Sequence, residues 1–331
     1  MSKKKIRLTQ IDGKLPNLAL MKLSHFHKSK GDEVYFYKTT SKDLFEPNYD
    51  VVYGSSIFTF SEDKRKEFIR SFPNAIVGGT GFNSQTTVEQ IIDIPIYENY
   101  DYEVYPDFEN SIGFSQRGCR LRCKFCVVGE KEGKNKHSNW INEIWRGDPH
   151  PKNLILLDND FFGQPSWDIK TKQIIDGKFK VCFNQGINIR LIDDRAAEAL
   201  TDIKYYDNDF KVRRLYTAWD NLGDEKIFLK GVNKLISRGI NPRHIMVYML
   251  IGYKKNETID DIMYRINLLD DLGCVPYPMV YNNKNKELKK LQRWVIRHYY
   301  KFIDWKDYTT KKSSFAYKNE TQQEVLFVEN V

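Results

Sequence analysis

The stretch Gly118-Cys119-Arg120-Leu121-Arg122-Cys123-Lys124-Phe125-Cys126 carries three cysteines, four and then three positions apart. That spacing lets one irregular loop aim all three sulfurs at a single metal centre. Thiolates are the usual protein ligands of an iron–sulfur cubane, which has four irons. Three thiolates leave one iron open, as a catalytic zinc keeps a position for its substrate, and an open iron can bind a small chelating molecule. The competing chemistry is a structural zinc site completed by His137. Zinc sites usually use paired C-x2-C or H-x3-H spacings, so the three-cysteine loop points to the cluster.

C-x3-C-x2-C with an aromatic residue, here Phe125, just before the third cysteine resembles the radical S-adenosylmethionine (SAM) superfamily. The resemblance implies a [4Fe-4S] cluster on Cys119, Cys123 and Cys126, with the amino and carboxylate groups of SAM on the fourth iron. It also implies an external electron donor of the flavodoxin or ferredoxin type. Reductive cleavage of the sulfonium would give a 5′-deoxyadenosyl radical that abstracts hydrogen from a substrate. The cofactor does the difficult step while the protein positions it and excludes water and oxygen. Phe125 is expected to shape the adenine pocket. The family's Gly-Gly-Glu after the second strand is absent, so Asp158 or Asn159 would recognise the amine instead.

The elements that must position this loop alternate regularly. Strands are predicted at Ser111–Ser115, Asn153–Leu157, Lys180–Phe183, Arg214–Ala218, His244–Ile251 and Pro276–Tyr281. Helices are predicted at Asp193–Leu200, Asp224–Arg238, Thr258–Leu272 and Lys286–Tyr300. Phe228, Val232, Leu235 and Ile236 share one helical face, and Ile259, Ile262, Ile266 and Leu269 another. Thr258 and Asp261 form a capping-box pattern, and Gly239 and Gly273 supply stops. Right-handed crossovers place all the strand C-termini at one end. Six β/α repeats match the partial (βα)6 TIM-type barrel of the radical SAM family, which carries its cysteine loop after the first strand.

Reactive groups in such barrels gather at the strand C-termini. Those ends offer Asp158-Asn159-Asp160, Asn184-Gln185 with Arg190, Trp219-Asp220-Asn221, Gly252-Tyr253, and Tyr281-Asn282-Asn283. Asp158 or Asp220 can accept from ribose hydroxyls or an ammonium. Arg190 can pair with a carboxylate. Asn159 and Gln185 complete the cofactor-binding candidates. The same residue types also cap helices and form turns.

Residues 1–100 form a smaller α/β unit, with predicted strands at Ile6–Ile11, Glu33–Tyr37, Tyr49–Tyr53 and Ala75–Val77. Helices fall between them, so the strands are expected to be parallel. Its position and its Gly78-Gly79-Thr80-Gly81 turn resemble the Rossmann-like cobalamin-binding domain that precedes many radical SAM barrels. That domain's D-x-H-x-x-G motif is missing, because the first turn is Asp12-Gly13-Lys14-Leu15-Pro16. A degenerate domain without histidine-ligated cobalamin is therefore expected, His25 and His27 serving a surface or interhelical role. The barrel spans 105–283, and a basic helical extension covers 284–331.

The chain has 331 residues and a formal net charge of +8. Its five cysteines are too few and too crowded for a secreted disulfide framework. Cys182 and Cys274 look like core residues and cannot hold a second cubane, which disfavours sulfur insertion. No apolar run reaches bilayer length and no signal peptide opens the chain, so a cytoplasmic protein without membrane contact is expected. Between Lys284 and Lys312 stand ten Lys or Arg against Glu287, Asp304 and Asp307. Lys286, Lys290, Arg293, Arg297 and Lys301 fall on one helical face. Trp294, Tyr300, Trp305 and Tyr308 interleave with the charge, as in surfaces that bind phosphates and stack on bases, and a helix that merely covers the barrel would show the same amphipathic division. A nucleic acid is the expected anionic substrate or partner. A zinc-stabilised nucleic-acid-binding protein and a cobalamin-dependent methyltransferase are the alternatives. A poorly ordered end is expected after Ser313.

Overall fold

The computed structural model describes residues 3–84 and 86–309. The chain divides into two compact units, Met1–Gly113 with Gly147–Pro151, and Phe114–Arg146 with Lys152–Val331. Each is an α/β structure built on parallel strands.

The first unit contains β1 (Lys5–Gln10), α1 (Leu18–Ser29), β2 (Glu33–Tyr37), β3 (Val51–Ser55), α2 (Glu62–Ser71), β4 (Ile76–Gly78), α3 (Val88–Ile92) and β5 (Ser111–Gly113). Its parallel strands run in the order β2-β1-β3-β4, with Ile6 paired to both Val34 and Val51. β1 is buried from Ile6 to Gln10 because it is central and covered on both faces. α1 starts where the Asn17 side chain accepts from the Leu20 amide, 3.2 Å away, and ends before Gly31, whose φ is 84°. Phe68 of α2 packs where Gly54 has no side chain; a Cβ there would stand 2.3 Å from its ring. Arg7 is buried between the rings of Tyr37 and Phe72, at 4.0 and 4.5 Å, and pairs with Glu46.

The ligand-like features of this unit are used internally. Asp12 accepts from the Ser56 hydroxyl at 2.6 Å and from the amides of Ile57 and Phe58 at 2.7 and 3.2 Å. Gly79 lies against Ser56, whose carbonyl would be 2.3 Å from a Cβ, and Gly81 donates to that carbonyl at 2.9 Å. The glycine turn thus packs on the β3–α2 connection. His27 is buried between Asp32 (2.7 Å) and the Tyr53 hydroxyl (3.1 Å), and His25 meets the Tyr97 hydroxyl at 2.7 Å.

The second unit opens with the two-residue strand β6 (Gln116–Arg117). There follow α4 (Val128–Lys131), β7 (Lys136–His137), α5 (Ile141–Ile144), β8 (Asn153–Leu156), α6 (Trp167–Asp176), β9 (Lys180–Phe183), α7 (Asp194–Asp202) and β10 (Lys204–Tyr205). β11 (Leu215–Ala218), α8 (Glu225–Ser237), β12 (Ile245–Ile251), α9 (Ile259–Asp271), β13 (Val275–Val280) and α10 (Lys286–Ile296) complete it. β8, β9 and β10 pair in parallel, as do β11, β12 and β13. The Ile187 amide, just after β9, donates to the Tyr216 carbonyl of β11 at 2.7 Å.

β12 shows why the helices lie where they do. Ile245, Val247, Met249 and Ile251 are buried in the core, while Met246, Tyr248 and Leu250 are half-buried on the opposite face. The core side takes Phe228, Val232 and Leu235 from α8 and Ile262, Ile266 and Leu269 from α9. Each such side chain contributes about 1.5–3 kcal/mol by leaving water. The Asp193 carboxylate caps α7 through the Ala196 amide at 2.8 Å, and Thr258 and Asp261 cap each other's backbone at the start of α9.

α10 corrects two expectations about the basic tail. It stops at Ile296 rather than Tyr300, two residues before His298 takes φ 57°. The interleaved aromatics face inward: Trp294 and Tyr308 are buried, Trp294 donates to the Ile303 carbonyl at 2.9 Å, and Trp305 packs at a tilt against Trp294. Lys290 lies over Trp305 at 4.6 Å, and Lys301 pairs with Asp270 at 2.7 Å, so neither belongs to an open cationic face. The end after Ser313 lies outside the described residues. Among the described residues no helix is long and apolar enough to cross a membrane.

Candidate functional site

The cysteine segment is tied at both ends by the antiparallel β6–β7 pair, Gln116 opposite His137 and Arg117 opposite Lys136. Gly118 turns the chain with φ 81°, in the region where L side chains are strained, and a Cβ there would meet the Lys134 carbonyl at 2.3 Å. The Cys119 amide donates to the Gly133 carbonyl at 3.2 Å and the Cys126 amide to the Cys123 carbonyl at 2.9 Å. Cys119 and Cys123 are partly buried and Cys126 is exposed.

Burial pushes the Cys119 thiol up, opposed by the Leu121 amide, with Asp160, Cys126 and Cys123 adding to the rise. Desolvation also raises Cys126, although the residue as a whole is exposed, and the charges of Cys123, Asp220 and Glu132 add to it. Cys119 thus feels both other sulfurs, and Cys126 feels that of Cys123. The three are not drawn to one point: among the described residues no group of three or more His, Cys, Asp or Glu side chains is arranged to hold a metal ion. The His137 ring packs on Trp140, with centroids 4.7 Å apart.

Three consecutive residues after β8 fasten this segment. Asp158, fully buried, accepts from the Ser115 amide at 2.7 Å, from the Ser115 hydroxyl, and from the Gln116 amide at 3.3 Å. Asn159 donates to Glu132 at 3.1 Å, and Glu132 in turn accepts from the Gly118 amide at 3.0 Å. Asp160, also fully buried, takes two bonds from the Arg120 guanidinium, at 2.7 and 3.0 Å, and one from Asn135 at 3.2 Å. Asp158 thus holds the loop with both carboxylate oxygens, and Asn159 holds it through its side-chain nitrogen.

Below the loop, Lys170 of α6 is buried and donates to the Ser115 carbonyl and, at 2.6 Å, to Gln164. Burial drives both members of this polar cage toward neutrality. Asp158 is pushed up to about 6, its bonds from Ser115 and Gln116 and the Lys170 charge opposing. Lys170 is brought down to about 8, with Asp158 opposing. A carboxyl whose folded value lies above its unfolded value near 3.8 stabilises the fold at low pH and loses that contribution as pH rises through 6. Asp158→Asn removes the titration. The stability margin of the wild type over this variant is expected to shrink between about pH 4 and 6, by on the order of 2 kcal/mol. Chemical unfolding of both proteins across that range checks it; a constant margin contradicts the burial argument.

The other candidates divide. Arg190 reaches the loop, donating to Asp224 at 3.0 Å with its other terminal nitrogen 3.6 Å from the Cys123 sulfur. Burial pulls its guanidinium down, but the Cys123 thiol and Asp224 leave it net raised. Asp220 is half-buried, accepts from the Leu250 amide at 2.9 Å, and is raised by burial against that bond and the charges of Arg190 and Arg265. Phe125 packs edge-on against Tyr253 at 5.4 Å, and Tyr253 against Tyr281 at 5.0 Å. Gln185 is exposed and donates to its neighbour Asn184 at 3.1 Å.

Glu132, Asn135 and Asp224 are site residues that sequence reasoning missed, since each acts through a partner distant in the chain. Both side-chain amide atoms of buried Gln116, and the side-chain oxygen of Asn135, lack a hydrogen-bond partner among the described residues. Comparison of the chain with protein-family models and with curated proteins finds no match.

Proposed function

We propose that this chain is a radical SAM enzyme, its second unit a partial (βα)6 barrel and its cysteine loop the ligand for a [4Fe-4S] cluster. The reading is supported by one observation: three cysteines, at C-x3-C-x2-C spacing, sit on a loop that the end of a parallel strand fastens at three points. The donor types suit such a cluster, since three soft sulfurs share one short loop. When bound, the cluster would supply one electron to the sulfonium of SAM, itself held at the iron that the protein leaves open.

The chain's own residues supply position and surroundings. Asp158, Asn159 and Asp160 hold the loop. Arg190 places a fixed positive charge beside Cys123 that can attract a carboxylate. Asp220 has an oxygen free to accept from an ammonium or a hydroxyl, and Phe125 offers a ring to a flat base. No role for cobalamin is part of this reading, because the Asp12 turn carries no histidine and its carboxylate is already satisfied. A small protein of the flavodoxin or ferredoxin type would deliver the electron, and the reaction belongs to the cytoplasm.

Anaerobic reconstitution with iron and sulfide tests this. About four irons per chain, together with 5′-deoxyadenosine formed from SAM and dithionite, is the expected result. A colourless protein holding one zinc would overturn it.

A further inference from the structure

The edge-packed run Phe125, Tyr253, Tyr281 crosses three segments: the cysteine loop and the chain just after β12 and after β13. Along it, side chains become more open. Phe125 and Tyr253 are half-buried, and Tyr281 is 56% exposed. An exposed tyrosine ring at the end of a strand offers a face on which another flat ring can stack.

Each ring is accompanied by exposed cations. Arg122 and Lys124 precede Phe125, Lys254 and Lys255 follow Tyr253, and Lys284 and Lys286 follow Tyr281. No acidic residue stands in 119–127, 252–256 or 281–286. Glu257, the nearest carboxylate after Tyr253, is committed to buried Arg265 and to the Gly252 amide at 2.6 Å. Lys254 donates to the side chain of Asn221, which holds one of the six cations at the strand ends. Rings alternating with exposed cations, with Glu287 and Asp220 at the margins of the run, suit a ligand that alternates flat bases with phosphates. An acidic peptide would use the charge and leave the rings idle.

We propose that this rim binds a phosphorylated nucleotide, its base on Tyr281 or Tyr253 and its phosphates on the surrounding lysines, and that this is the substrate class of the site. The assignment as substrate rests on the radical SAM reading; the binding itself does not. Two sources share this chemistry, a free nucleotide and a single strand of nucleic acid.

Fluorescence anisotropy of the full chain, before and after iron–sulfide reconstitution, separates them. The probes are a fluorescent adenosine triphosphate and a labelled single-stranded oligonucleotide of mixed sequence, each at about 50 and 200 mM salt. Binding of the triphosphate identifies the free nucleotide, and binding of the oligonucleotide alone identifies the strand. Tyr281→Ala is expected to weaken the binding about tenfold. Lys284→Glu with Lys286→Glu should weaken it by more than tenfold and flatten the salt dependence. Lys226→Glu, on the exposed side of α8, should leave it unchanged. Binding of neither probe, or binding indifferent to both rim variants, overturns the proposal. Iron counted on the same preparations keeps the two readings apart: binding without iron loading retains the rim and removes the cluster, and iron loading without binding does the reverse.

Discussion

Cys123→Ala is expected to leave anaerobic reconstitution with little bound iron and without measurable SAM cleavage, while unfolding within about 1 kcal/mol of the wild type. Cys123 is partly buried on an irregular loop and outside the hydrophobic core, so its removal opens no cavity. Its sulfur is the one that faces Arg190, and it contributes to the raised values of both other thiols. Two thiolates from one loop give a cubane too few anchors to persist. Iron and sulfide counts, 5′-deoxyadenosine formation and a thermal scan on one preparation check the three parts. Undiminished reductive cleavage by the variant would remove the assignment of this loop, and a collapsed fold would show that Cys123 is structural.

Arg265→Met is expected to destabilise the second unit by about 3 kcal/mol or more. Arg265 is completely buried in α9, pairs with Glu257, and donates to the carbonyls of Trp219 at 3.0 Å and Leu250 at 3.4 Å. These carbonyls lie at the ends of β11 and β12, beside Asp220. Methionine fills much of the volume but leaves the Glu257 charge, 11% exposed, without its cation and two acceptors without a donor. Adding Glu257→Gln should return part of the loss, which an effect of packing alone would not. Arg265→Lys should rescue poorly, because one ammonium cannot span three acceptors fixed in a fork. Urea unfolding of the four proteins measures all of this; a loss below about 1 kcal/mol in Arg265→Met would contradict the argument.

The α/β alternation was legible because most elements carry their own signals. The apolar faces of α8 and α9, the Asp193 cap and the Thr258–Asp261 box all act within a few residues, and the structure shows each of them. α6 escaped for a physical reason. Its inward face is Lys170, Thr171 and Ile174, so the helical period is written partly in polar residues. The tail was open to two readings for the opposite reason. Trp294, Trp305 and Tyr308 beside lysines look the same in a core as on a binding surface, and only packing separates the two.

The site was half legible. Strand ends pointed to Asp158, Asn159 and Asp160, but residue type does not say which way a carboxylate turns. Ser115 and Asp158 are 43 positions apart, and no local pattern encodes their bond.

The three ties from a single strand end make the cysteine segment and that strand one mechanical part. The three residues follow directly on β8, so an insertion of one residue before Asp158 would move all three side chains off their partners at once. A graft of the cysteine segment into another scaffold must therefore carry Asp158-Asn159-Asp160 with it, or the transplanted sulfurs will arrive without an orientation.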